Sequence, residues 1–229
     1  MAQEKRLKEA RHKRGRRPRG EISGREALIR AANTCFLRLG YAASLRDIAA
    51  EAEVDMALVA RLFGSKKKLW EAVIAWHESK LAHHLSEVDA LSKAGLPTKE
   101  ALQRLIELYA GHCVDLPFIA LFMHEAVNHG PRLENIVERL VVPLRLRYLP
   151  FLNRAIEQRI VHALDPELAL TILLTGISAQ LAAPMLCSGR GEGKELARRL
   201  VKETSILLGL QLPTDSTASP LSPSSCLRR

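Results

Sequence analysis

The sequence predicts an all-α fold, and three observations carry that expectation. Apolar residues recur at i, i+3 and i+4 along most of the chain, strand-like alternation is missing throughout, and the periodic stretches are punctuated by helix-starting Ser, Asp and Pro and helix-stopping Gly. With 229 residues, 47% of them hydrophobic, the chain has enough apolar material for a core without staples. Cys35, Cys113, Cys187 and Cys226 show no paired spacing, and no signal-like apolar stretch opens the sequence. A reducing, cytoplasmic setting is therefore expected. No apolar run reaches the roughly 20 residues that span a bilayer. The longest, residues 168–186, is interrupted by Gly176, Ser178, Gln180 and Pro184, so no membrane partner is expected.

Residues 1–20 hold nine Lys/Arg against two Glu, a local net of +7 within a total of +9. A basic arm on a nearly neutral body points to a polyanionic partner, nucleic acid before anionic membrane. Pro18 and Gly20 separate this arm from the first periodic stretch, 24–39. There Ala27, Leu28, Ala31, Ala32, Cys35, Phe36 and Leu39 form one apolar stripe and Gly40 is a natural stop. Helices 44–52, 55–63 and 65–91 follow. Ser44, Asp55 and Ser65 are their expected N-caps, and Ser44 with Asp47 resembles a capping box in which Asp replaces Glu. Later helices are expected over 98–113, 117–129, 131–159, 166–187 and 193–210. Pro143 and Pro150 are expected to kink or break the third of these, because each removes an amide donor and crowds the preceding turn. The sequence after Leu210 is rich in Ser, Thr and Pro and has too little apolar surface to order itself.

Two short helices joined by the turn 53–55 match the helix-turn-helix geometry that places a second helix in a DNA major groove. Ile48, Ala49, Ala52, Val54, Val59, Leu62 and Phe63 fall where the two helices pack on each other and on Phe36. The face carrying Asp55, Met56, Ala57, Ala60 and Arg61 is left over. Small side chains there allow close approach to base edges and thymine methyls, and Arg61 can donate two hydrogen bonds to guanine. Ser44, Ser65 and Lys66 are expected to meet phosphates at helix N-termini. Arg14, Arg16, Arg17 and Arg19 are expected to reach the adjacent minor groove.

The segment "FLRLGY", followed by "RDIAAEA" and "FGSK", resembles the N-terminal DNA-binding domain of the TetR family of transcriptional regulators, and "GRRPRG" resembles the family's Arg-rich leader. The resemblance covers about 50 residues. It implies a homodimeric, all-helical regulator, usually a repressor, that leaves a palindromic operator when a small molecule fills its C-terminal domain. Three positions depart from the family pattern. Glu53 stands where Gly is common in the turn, at some backbone cost if a positive φ is needed. Ala60 stands where an aromatic is usual, and Leu62 where an aromatic or His precedes the Phe.

The implied domains are a basic arm, 1–20; a helix-turn-helix domain, 21–68; a helical regulatory and dimerisation domain, 69–210; and a Ser/Pro-rich tail, 211–229. The resemblance over the third of these is one of layout. The last two helices are the expected dimer face, with Leu168, Ile172, Gly176, Ala179 and Ala183 on one and Leu196, Leu200 and Leu207 on the other. Candidate lining for a ligand pocket is Trp76, His77, Tyr109, His112, Phe122, His124 and Asn128.

Enzyme chemistry finds little support. In "HEAVNH", His124 and His129 are five apart, about 140° around a helix, so they cannot ligate zinc from one face as residues four apart do. "GRGEG" at 189–193 lacks the context of a phosphate-binding loop. No metal or cofactor is expected, and the expected partners are double-stranded DNA, a second copy of the chain and a small-molecule ligand. The competing class is a basic-armed architectural protein that binds DNA or membrane without sequence preference.

Overall fold

The computed structural model describes residues 24–127, 129–183 and 193–210, so the basic arm, the C-terminal tail, Asn128 and residues 184–192 lie outside it. Its helices are α1 Gly24–Leu39, α2 Leu45–Glu51, α3 Met56–Phe63, α4 Lys66–Lys93, α5 Thr98–Asp115, α6 Ile119–Ala126, α7 Pro131–Ile136, α8 Val142–Glu157, α9 Pro166–Ala182 and α10 Gly193–Leu207. No strand occurs among the described residues.

Helices α1 to α3 form a head with the start of α4. Leu28, Ala32 and Phe36 of α1, Ile48 of α2, Val59 of α3 and Trp70 of α4 are at most 1% exposed. Trp70 meets Phe36 and Tyr41 edge-on, with centroids 4.9 and 5.4 Å apart. The short helices start where local chemistry places them. Ser44 accepts from Asp47 N while Asp47 Oδ2 accepts from Ser44 N at 2.8 Å, a closed capping box. Asp55 Oδ1 accepts from Ala57 N at 2.7 Å, and Ser65 Oγ from Lys68 N at 3.3 Å.

The turn between α2 and α3 is a Schellman motif: Val54 N donates to Ala49 O and Glu53 N to Ala50 O, with Glu53 left-handed at φ 51. The positive φ on which the cost at Glu53 depended is therefore present, and Glu53 bears the steric cost. Leu62 does not pack between α2 and α3 as the periodicity implied. It is 36% exposed, because Val59 and Phe63 already occupy the buried side of this two-turn helix.

The body is built around α5, which packs against α4, α8, α9 and α10. Between α7 and α8 the segment Val137–Val141 is a π-helix in which Val142 N donates to Val137 O. That wide turn gives the ring of Pro143 space in the following first turn, so the break expected at Pro143 is realised as a π-bulge. Pro150 breaks nothing. It and Leu146, whose carbonyl loses its donor, both lie on the exposed side of α8, open to solvent.

Candidate nucleic-acid interface and ligand pocket

Helix α3 is short, capped at its start by Asp55 and closed by Gly64 at φ 70. Val59 and Phe63 turn inward, so at 100° per residue Arg61 points almost directly away from the core, with Ala57 beside it. Asp55, Met56, Ala57, Ala60 and Arg61 are all exposed, and Met56 is 44% so. Arg61 makes no ion pair among the described residues. The leftover face is thus a shallow strip of small side chains with one cation, a shape that can enter a groove and read it.

The flanks differ from the expectation in detail. Ser44 is exposed, but its hydroxyl donates to Asp47 Oδ2 at 2.7 Å. The bonds from Ser44 hold the Asp47 carboxyl below the usual range, so the start of α2 already carries an anion and has less to offer a phosphate. Ser65 is exposed at the start of α4. Lys66 lies with its ammonium 4.4 Å from the centroid of the Tyr41 ring. Partial burial, and then the nearby Arg132, push its pKa down, with Asp47 opposing. Arg14, Arg16, Arg17 and Arg19 fall outside the described residues. Sequence reading passed over two exposed cations on this side: Arg46 on α2, and Arg25, whose guanidinium stands 5.1 Å from the Phe63 ring.

The described pocket candidates are distributed over four places. Tyr109 and Phe122 line a cavity of about 100 Å³ enclosed by α5, α6, α8 and α9, together with Leu144, Leu170, Leu174 and Arg145. Trp76 and His112 instead line an open cleft of about 940 Å³ between α4 and α5 whose charges are mixed, with Arg30, Lys80 and Arg104 against Glu87, Glu107 and Asp115. There His112 stacks on His84 at 4.4 Å, and His84 Nε2 lies 2.6 Å from the Tyr148 hydroxyl. Burial, and then the charge of neighbouring His112, lowers the pKa of His84 to about 3; burial lowers that of His112 to about 4.

His77 and His124 line neither of these two spaces. His77 is 3% exposed, and its Nε2 lies 2.7 Å from Asn33 Oδ1 of α1. Burial, and secondarily His112, bring its pKa to about 4, so it is a neutral core histidine pinning α1 to α4. His124 reaches the head: its Nε2 lies 3.1 Å from Leu37 O, and a Cβ on Gly40 would stand 3.0 Å from its ring. Gly40 therefore meets two demands, its φ of 59 and this close approach. Asn128 lies outside the described residues.

Beside His124 is a joint that no spacing in the sequence announced. Glu125 is 1% exposed and accepts from Arg132 Nε at 2.8 Å. The Arg132 guanidinium in turn stands 4.1 Å from the Tyr41 centroid, the ring that also holds Lys66. A buried carboxylate of the body thus anchors a cation that packs on an aromatic ring of the head.

On the far side, α9 buries Leu170 and Ile177 and leaves Leu168, Ile172 and Gly176 exposed on the opposite side, with Ala179 half-buried and Ala183 exposed at the helix end. Leu168 is 56% and Ile172 64% exposed. On α10, Leu207 is 85% exposed and Leu200 half-buried. Leu196, placed on the dimer face by its spacing, is 2% exposed: where α10 packs on α5 it belongs to the protomer's own interior.

Residues 28–73 match the family model described as bacterial regulatory proteins, tetR family. No curated protein matches the chain in sequence. Among solved structures, the fold is shared with the haemolysin II transcriptional regulator HlyIIR at 21% identity and a TM-score of 0.59, over 79% of this chain and 96% of that one. It is shared with the tetR-family transcriptional regulator PfmR from Thermus thermophilus at 22% identity and a TM-score of 0.57, over 81% and 99%. The fatty acid degradation regulator FadR from Bacillus halodurans aligns at 16% identity with a TM-score of 0.57, over 83% and 96%.

Proposed function

We propose that this chain, whose residues 28–73 match a tetR-family model, is a member of that family and a homodimeric repressor that reads a palindromic DNA site with paired α3 helices and leaves it when a small molecule enters the body. The observation that carries the reading is the exposed strip Met56, Ala57, Ala60 and Arg61 on a capped helix whose other side is locked into the head core. The uncovered apolar stripe of α9 supports the dimer, since an exposed Leu168–Ile172 surface opposite a buried face has a second copy as its natural cover. Two such heads would read half-sites one helical turn apart, or a multiple of it. The cavity at Tyr109 and Phe122 supports a ligand site. It sits on α6, the helix whose His124 and Glu125 hold the head, so a ligand that moves α6 would move the head against its partner.

The test is selection of random duplex by the purified full chain at physiological salt, followed by sequencing. An inverted repeat is the expected result, and Arg61→Ala should relax preference at one base pair per half-site. A flat profile with retained binding would overturn the reading in favour of sequence-independent binding by the basic arm.

A further inference from the structure

We infer that the cavity enclosed by α5, α6, α8 and α9 selects a small apolar monocarboxylate, and that Arg145 holds its head. The inference rests on the ligand-responsive reading above and names the chemistry of that site. The wall is aromatic and aliphatic, and the hydroxyl protons on it are already engaged. The Tyr109 hydroxyl and Ser178 Oγ both donate to Leu174 O, at 3.2 and 2.8 Å. Thr171 Oγ1 donates to Glu167 O at 2.9 Å and Thr175 Oγ1 to Thr171 O at 2.6 Å. Each is satisfied by a helix carbonyl, so none has a proton left for an anion.

The one charged residue on the wall is Arg145. Its Nη1 stands 3.5 Å from Glu167 Oε2, and the two side chains are 42% and 61% exposed, so this pair is long, wet and easily exchanged. A ligand carboxylate can displace Glu167 and take the guanidinium with two parallel bonds, a geometry that a single 3.5 Å contact does not use. A cationic ligand would meet Arg145 with like charge, and a neutral alcohol would gain only a weak acceptor. The volume of about 100 Å³ sets the size. An apolar cavity of about 150 Å³ holds benzene, so the body that fits here has about four to six carbons.

The experiment uses the full chain and three probes of one length, hexanoate, 1-hexanol and hexylammonium, with binding measured by calorimetry in the absence of DNA. Hexanoate should bind saturably, 1-hexanol roughly tenfold or more weakly, and hexylammonium not at all. Arg145→Gln should bring hexanoate to the level of 1-hexanol. Arg147→Gln should leave it unchanged: Arg147 lies on the same helix but pairs with Asp89 at 3.3 Å, away from the cavity. Glu167→Gln, which removes the competing carboxylate, should tighten hexanoate severalfold. Equal affinity for hexanoate and 1-hexanol, no hexanoate binding, or an Arg145→Gln variant that binds hexanoate as before would each overturn the inference. Release from the selected DNA is scored separately. Hexanoate binding without release would fail the regulatory reading while the pocket chemistry stood, and an inverted repeat in the selection stands whatever the probes do.

Discussion

Replacing Arg132 by Ala perturbs the joint between head and body at its one buried charge. Glu125 is 1% exposed and its carboxylate takes Arg132 Nε at 2.8 Å, so the variant leaves an anion in the interior without its cation. Removing one partner of a fully buried pair costs about 3–5 kcal/mol. The Arg132 side chain is 39% exposed and water shares its role, which places the loss at the low end, about 3 kcal/mol, including the roughly 0.5–1 kcal/mol of its contact with Tyr41. Adding Glu125→Gln removes the stranded charge and should return about half of that. Arg132→Lys should fall between, because an ammonium keeps the charge but not the planar stack. The assay is urea denaturation followed by tryptophan fluorescence, which reports on the joint directly since Trp70 packs on Tyr41. With a slope of about 3 kcal/mol/M, Arg132→Ala should lower the midpoint by about 1 M at unchanged slope. A loss under about 1 kcal/mol, or losses for Arg132→Ala and Glu125→Gln that simply add, would refute the claim that this pair holds the joint together.

Glu53→Gly should stabilise the head by about 0.5 kcal/mol, since relief of the left-handed backbone outweighs the added chain entropy, whereas Glu53→Val should cost more than about 1 kcal/mol; denaturation midpoints decide, and a destabilised Gly variant refutes the strain. The chain should lose stability below pH 6.5. His77, His84 and His112 have folded pKa values lowered to about 4, 3 and 4, so the unfolded state binds more protons between those values and 6.5, and each histidine's loss reaches at most about 2 kcal/mol at pH 5. Thermal melts across pH 4.5–7.5 test this, with His84→Phe expected to flatten the slope; a melting temperature flat over that range would contradict it. Ile172→Asp places a charge on the exposed stripe of α9 and should convert a dimer to a monomer in sedimentation without lowering the melting temperature of the monomer; unchanged mass would remove α9 from the interface.

Local chemistry was legible in the sequence and distant contact was not. The caps at Ser44, Asp55 and Ser65 each depend on residues within a few positions, so spacing alone located them, whereas the left-handed turn at Glu53 was flagged only by the resemblance, which puts Gly there. The exposed face of α3 was legible for the same reason as the caps, since an eight-residue helix with Val59 and Phe63 inside has only one outside. The contact of His124 with the head was not legible because its partner, Leu37, is 87 residues away, and no periodicity on α6 announces it. Leu196 was misplaced because an apolar stripe on α10 is equally suited to α5 of its own chain and to a second copy. The proline breaks were half right: periodicity identifies the lost hydrogen bond, but whether the helix stops depends on whether water can reach the freed carbonyl, as it can at Pro150.

The same separation explains how the candidate pocket and the head can be coupled through few atoms. Helix α6 has eight residues, about 12 Å of rise. Ile119 and Phe122 from its first turns line the cavity, while His124 and Glu125 one turn later hold Leu37 and Arg132. A helix this short cannot bend between its two duties, so expansion of a cavity of about 100 Å³ against Phe122 is absorbed either by the other walls, α5, α8 and α9, or by the contacts at His124 and Glu125. The second route meets Gly40, where the absence of a Cβ is what admits the His124 ring, so a displacement of α6 toward the head presses that ring on the Gly40 turn. Arg132 and Tyr41 would then shift together with Lys66, the cation at the start of α4 that packs on the same ring, and a change of pocket volume becomes a change in where that charge stands.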